Sequence, residues 1–124
     1  MKDGKYVVLY VDDDPDFLDS VRTVLESNGY VVVTALSAKE GLEKFKASDP
    51  DLIIVDLMME EVDAGTSLVK DLKVAGNEAP VYMLSSVGDQ LSMSTDYSGL
   101  GLAGVFQKPV SFDTLLSTLK SKLG

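Results

Sequence analysis

Five short apolar runs, rich in β-branched and aromatic residues, recur at near-regular spacing along the chain: Tyr6 to Val11, Tyr30 to Thr34, Leu52 to Val55, Val81 to Leu84 and Gly104 to Gln107. Runs of this length and composition predict strands. The first and third, YVVLYV and LIIV, are almost continuously hydrophobic. That is the pattern of parallel strands covered on both faces, so these two are placed in the middle of a sheet.

Between the runs the apolar period changes to that of helices. Phe17, Leu18, Val21, Val24 and Leu25 form one stripe, behind Asp14 as N-cap and Pro15 at the first helical position, with Asn28-Gly29 as the stop. Ser37-Ala38-Lys39-Glu40 reads as a capping box that opens a second helix, predicted to bury Leu42 and Phe45 and to close before Asp49-Pro50. A third helix, from about Thr66 to Ala75, carries Leu68 and Leu72; a last one places Phe112, Leu115, Leu116, Leu119 and Leu123 on one face behind Ser111. The segment GDQLSMSTDYSGLGLAG mixes Gly, Ser, Thr and Asp, which compete with helix formation, so a short or mobile element is expected there. Strand–helix alternation with crossovers of this length predicts an α/β fold: a doubly wound, five-stranded parallel sheet with right-handed connections and helices on both faces, a flavodoxin-like three-layer sandwich.

Length fits one domain over residues 1–124, with no repeat or linker to divide it. The chain has no cysteine, which removes disulfides, thiolate metal sites and cysteine nucleophiles, and no histidine, which removes the commonest general base and any internal phosphohistidine. Chemistry must come from carboxylates, hydroxyls and lysine. Acidic residues outnumber basic ones by 20 to 11, a balance that repels the phosphate backbone and argues against a direct nucleic-acid partner. The first apolar run ends in three aspartates and is too short for a signal segment or a membrane span. The expectation is a soluble cytoplasmic protein with no membrane partner.

Polar residues sit at equivalent places on four of the five strands. Asp12 and Asp13 follow the first, Asp56 the third, Ser85 the fourth and Lys108 the fifth. Ligands of open α/β sheets bind beyond the carboxyl ends of the strands, where strand order reverses. Setting strands one, three, four and five side by side, with strand two at the edge, gives the order 2-1-3-4-5 and brings all five residues together. Three carboxylates so placed repel one another by about 4 kcal/mol per pair at roughly 4 Å and an effective dielectric of about 20. A hard cation offsets that, and Mg²⁺ suits a site of one or two carboxylates, water and phosphate oxygens. Lys108 can reach a phosphoryl oxygen and the Ser85 hydroxyl can donate to another.

Taken singly, these residues have ordinary explanations. An Asp-Asp after a strand is usually a cap or a solvated turn, which is the reading kept for Asp14 as a cap and for Asp49, Asp51 and Asp63 as turn residues. A terminal lysine is usually solvated. Joint placement on one sheet edge reverses these odds, reinforced by Lys108-Pro109, where proline can fix a turn.

VLYVDDDP, DLIIVDLMMEEVDAG, PVYMLSS and GLAGVFQKP, in that order, resemble the receiver domain of bacterial two-component response regulators, over nearly the whole chain. The strand order 2-1-3-4-5 is that of the chemotaxis member of this family, so it is in part an implication of the resemblance. The resemblance further implies that Asp12, Asp13, Asp56 and the backbone carbonyl of Met58 hold Mg²⁺, that Asp56 is phosphorylated, and that Ser85 and Lys108 contact the phosphoryl group. It implies a histidine kinase or phosphotransfer protein as donor, an output domain or protein as receiver of the signal, and room for a phosphorylation-dependent homodimer. The domain would assist its own phosphorylation and dephosphorylation without being a turnover enzyme. Three departures bear on this. Glu60, Glu61 and Ala64 stand where the family often has Pro, Gly and Gly; Ser86 replaces a common alanine; and Val105 occupies the place of an aromatic switch residue. Valine is stiff and small, so the switch is expected in the stretch from Ser86 to Gly101. Met58 and Val87, which by resemblance border the path of the attacking water, hold water poorly and imply a long-lived phosphoryl group.

Two rival functions use the same residues. A phosphatase of the haloacid dehalogenase type would read Asp12-Asp13-Asp14 as its nucleophile and acid, but Asp16 stands where that family usually has Thr or Val, and the chain is short for a catalytic fold with a cap. A receiver-like scaffold that no longer takes phosphate is the other. A calcium loop through Asp12, Asp14 and Asp16 fails because Phe17 and Thr23 occupy the positions that need Gly and Glu.

Overall fold

The computed structural model describes residues 4–56, 64–86, 103–108 and 111–123. In chain order the elements are β1 (Val7–Val11), α1 (Pro15–Ser27), β2 (Val31–Ala35), α2 (Ala38–Ser48), β3 (Leu52–Asp56), α3 (Ala64–Val74), β4 (Val81–Ser86), β5 (Gly104–Lys108) and α4 (Phe112–Leu123). All strand pairs are parallel and the sheet order is β2-β1-β3-β4-β5. Most of the stretch from Ser86 to Gly101, with the weak helix expected in it, lies outside the described residues.

Burial follows the sequence pattern. Every residue of β1 and β3 is buried, whereas β2 at the sheet edge is only half-buried along most of its length. Strand alternation divides the core in two. Leu9, Val11, Ile53, Val55 and Met83 face α2 and α3 with Leu68, Val69 and Leu72, while Val8, Tyr10, Leu52, Ile54, Leu84 and Phe106 face α1 and α4 with Leu18, Val21, Leu25, Leu115 and Leu119.

The helix ends form as their residues dictate. The Asp14 carboxylate accepts from the backbone N–H of Asp16 and Phe17, satisfying two of the donors that a helix start leaves open, and Pro15 follows at a position needing no donor. Ser37 accepts from the Glu40 N–H at 3.1 Å. Asn28 caps α1, and Gly29 then takes φ +90°, a left-handed turn costly for a side chain.

Packing of α2 differs from the pattern-based expectation. Leu42 and Phe45 are only partly buried, and the buried residue is Gly41. A Cβ at Gly41 would lie 2.9 Å from Val11 Cγ2 and 3.1 Å from Leu68 Cδ2. The helix touches the sheet through its backbone there, and the two larger side chains flank the contact. Phe112 is likewise less covered than expected, 37% exposed in the first turn of α4.

Candidate functional site

The β1–β3 register pairs Val11 with Val55, so the next residue of each strand, Asp12 and Asp56, emerges at the same edge of the sheet. Asp12 also donates its backbone N–H to the Ala35 carbonyl at 3.0 Å, which holds the end of β1 against β2. The register of β4 with β5 brings Ser85 opposite Gln107 and Ser86 opposite Lys108, with Leu84 beside Asp56. The backbones of Ser85, one residue before the end of β4, and of Lys108, the last of β5, therefore lie at the edge that carries the carboxylates. Met58 lies outside the described residues, as do the side chains of Ser85 and Lys108.

Asp12 is fully buried, Asp56 is 4% exposed and Asp13 lies at the surface. One carboxylate oxygen from each lies within 4.8 Å of the others. Burying two carboxylates beside a third is unfavourable without compensation, because the low-dielectric surroundings strengthen their repulsion and strip their hydration. The donor set itself, hard oxygens from three acids with one side open to solvent, fits a small divalent cation that keeps part of its water.

One member of this group was not evident from the pattern of strand ends. The Tyr10 hydroxyl, on the same face of β1 as Asp12, donates to Asp12 Oδ2 at 2.5 Å, while the backbone N–H of Asp14 donates to Oδ1 at 3.0 Å. Burial first, then the hydrogen bond to Asp12 and the nearby charges of Asp12, Asp56 and Asp14, push the Tyr10 hydroxyl far above its ordinary range, so it remains a proton donor. The signal in the sequence was the spacing: residues two apart on a strand share a face, and a buried tyrosine needs a partner for its hydroxyl.

Val105 is 38% exposed, and Phe106 is buried with its ring stacked on Tyr82 at a centroid distance of 5.2 Å. Strand alternation thus puts the two on opposite faces of β5. A cavity of about 310 Å³, lined in part by Phe45, Asp49, Asp51, Glu78 and Pro80, opens at the opposite end of the sheet, away from the clustered carboxylates.

Residues 8–120 match the family model of the response regulator receiver domain. This chain belongs to that family. It is 32% identical over 117 residues to the chemotaxis protein CheY of Bacillus subtilis, covering 94% of this chain and 96% of that protein. It is 31% identical over 118 residues to the response regulator MprA of Mycobacterium ulcerans, again over 94% of this chain, but it spans only 49% of that regulator's length. Among solved structures it resembles a CheY-like receiver domain protein from Methanospirillum hungatei, with TM-score 0.87 and 30% identity over 97% of this chain and 94% of that one. Vibrio cholerae CheY4 is similar, with TM-score 0.85 and 30% identity over 96% of this chain and 99% of the other. A receiver domain is a signalling domain, and the observed five-stranded order is the family's. No helix among the described residues is long and apolar enough to cross a membrane.

Proposed function

We propose that residues 1–124 act as one receiver domain whose Asp56 accepts a phosphoryl group in a Mg²⁺-dependent reaction and passes the signal to an output partner. The observation that carries this reading is the cluster of Asp12, Asp13 and Asp56, two of them buried, at the carboxyl ends of β1 and β3. Asp12, Asp13, Asp56 and the Met58 carbonyl would hold Mg²⁺, which when bound neutralises their charge and that of the incoming phosphoryl oxygens.

An Asp56 carboxylate oxygen attacks phosphorus, the phosphorus–nitrogen bond of a phosphohistidine breaks, and the imidazole leaves with the bonding electrons. Lys108 is assigned to a phosphoryl oxygen and Ser85 to a hydrogen bond with another. The donor is a histidine kinase or phosphotransfer protein. Similarity to nearly all of CheY and to half of MprA is compatible with a free receiver or with one joined to an output domain.

The dehalogenase-type alternative loses its acid. Asp14 spends its carboxylate capping α1. Incubation with acetyl phosphate and Mg²⁺ is expected to add roughly 80 Da, one phosphoryl group, to the intact protein, and Asp56→Asn to abolish the adduct. Undiminished labelling of that variant would move the acceptor elsewhere; an unlabelled wild-type protein would leave the phosphate-independent scaffold.

A further inference from the structure

We infer that Tyr10 is a positioning residue for the metal site: its buried hydroxyl fixes the Asp12 carboxylate in the orientation that lets it share a cation with Asp13 and Asp56. The inference rests on the proposed Mg²⁺ site and adds to it a residue from outside the acidic set.

The terminal torsion of an aspartate is broad, so a carboxylate at the end of a strand has no strong orientation of its own. Asp12 is held at both oxygens, by the Tyr10 hydroxyl on Oδ2 and the Asp14 N–H on Oδ1. Together the two bonds set the plane of the carboxylate.

The anchor is itself rigid. Tyr10 is fully buried, its backbone lies between β2 and β3 through the pairs Tyr10–Thr34 and Tyr10–Ile54, and its ring meets Phe17 of α1 edge-on at 6.4 Å. Partners that orient a metal ligand from behind typically carry about 10–100-fold of metal affinity.

The test compares wild-type protein, Tyr10→Phe and Asp13→Asn by Mg²⁺ titration calorimetry. Phenylalanine keeps the ring and removes only the donor. Mg²⁺ binding is expected to weaken by about 10-fold or more in Tyr10→Phe and to be lost in Asp13→Asn. Equal affinity of Tyr10→Phe and wild type, with Asp13→Asn impaired, would overturn the positioning role and leave the metal site standing. Equal affinity of all three, or no binding by wild type, would overturn the site and the inference together.

A second measurement needs no metal. If Tyr10 orients Asp12, its loss loosens the Asp12–Asp14 bond, and amide exchange at Asp14 should accelerate by about 10-fold while the ladder amides of β1 and β3 keep their protection. Unchanged exchange at Asp14 would sink the inference, as would an acceleration shared equally by the ladder, which marks general destabilisation.

Discussion

Strand β3 is flanked by two aspartates that behave differently. At its start, Asp51 is half-buried and its Oδ2 accepts the Val7 backbone N–H at 2.8 Å, so the carboxylate ties the beginning of β1 to the beginning of β3. At its end, Asp56 is buried beside Asp12 and Asp13, like charges gathered within 4.8 Å. Both are strand-end carboxylates next to β1. The first serves the backbone, whereas the second lies in a group of acids at the edge where the proposed cation would bind. Residue type alone does not distinguish them; their end of the sheet does, because the carboxyl ends of parallel strands converge on a ligand-binding edge.

The difference predicts opposite responses to removing charge. Asp13→Asn is expected to raise the stability of the metal-free protein by up to about 1 kcal/mol, since it relieves repulsion at a partly solvated position. It should also abolish stabilisation by Mg²⁺, which at a concentration of about 100 Kd is worth about 2.7 kcal/mol. Denaturant unfolding with and without Mg²⁺ reads both. A variant that loses metal-free stability and keeps its Mg²⁺ response would erase the distinction between the two ends.

Asp51→Ala is expected to do the reverse, with a smaller effect. It removes a charged acceptor from the Val7 N–H at a half-buried position, a loss of about 1–2 kcal/mol after allowing for water that can replace it. Mg²⁺ affinity should be unchanged. An equal fall in Mg²⁺ affinity would show that the two ends of the β1–β3 pair are mechanically linked.

The sheet was legible in the sequence because both central strands are buried on both faces and announce it by continuous hydrophobicity. Strand ends were less legible. β3, β4 and β5 run on through Asp56, Ser86 and Lys108, since ladder bonds join backbone groups and do not depend on side-chain polarity. The turn readings of Asp49 and Asp51 survive in altered form: Asp49 caps α2 in a left-handed conformation with φ 48°, and Asp51 bonds the neighbouring strand; Asp63 lies outside the described residues. In the site, Asp12, Asp13 and Asp56 could be found because acids at the ends of hydrophobic strands stand out against the run. Tyr10 could not, because in a hydrophobic run a tyrosine counts as one more apolar residue, and its polar role appears only when strand alternation is followed two residues further to Asp12. Gly41 was missed for a related reason: a helix is read by its large apolar residues, and a contact made by backbone leaves no such mark.

The smallest effect belongs to a second tyrosine hydroxyl, that of Tyr30, just before β2 and at the same end of the sheet as Asp51. Its backbone N–H is fixed to the Leu25 carbonyl at 3.1 Å, and Val31 beside it bonds the Tyr6 carbonyl, which brings the two tyrosines together. Partial burial first, and then the proximity of Tyr6, raise the Tyr30 hydroxyl above its ordinary value. The folded protein therefore keeps this proton at a pH where the unfolded chain has released it. Where the unfolded state binds fewer protons, stability falls as pH rises. The contribution is intact below the unfolded value near 10 and is lost as pH climbs from there toward the folded one. Tyr30→Phe should thus flatten the fall of stability between about pH 9 and 11 without removing it, since Tyr10 is raised in the same direction. Mg²⁺ affinity should be unmoved, in contrast to Tyr10→Phe. An alkaline slope identical to wild type would show that the Tyr30 hydroxyl is as well solvated in the folded protein as in the unfolded chain, and that hydroxyl burial matters only at the acidic end of the sheet.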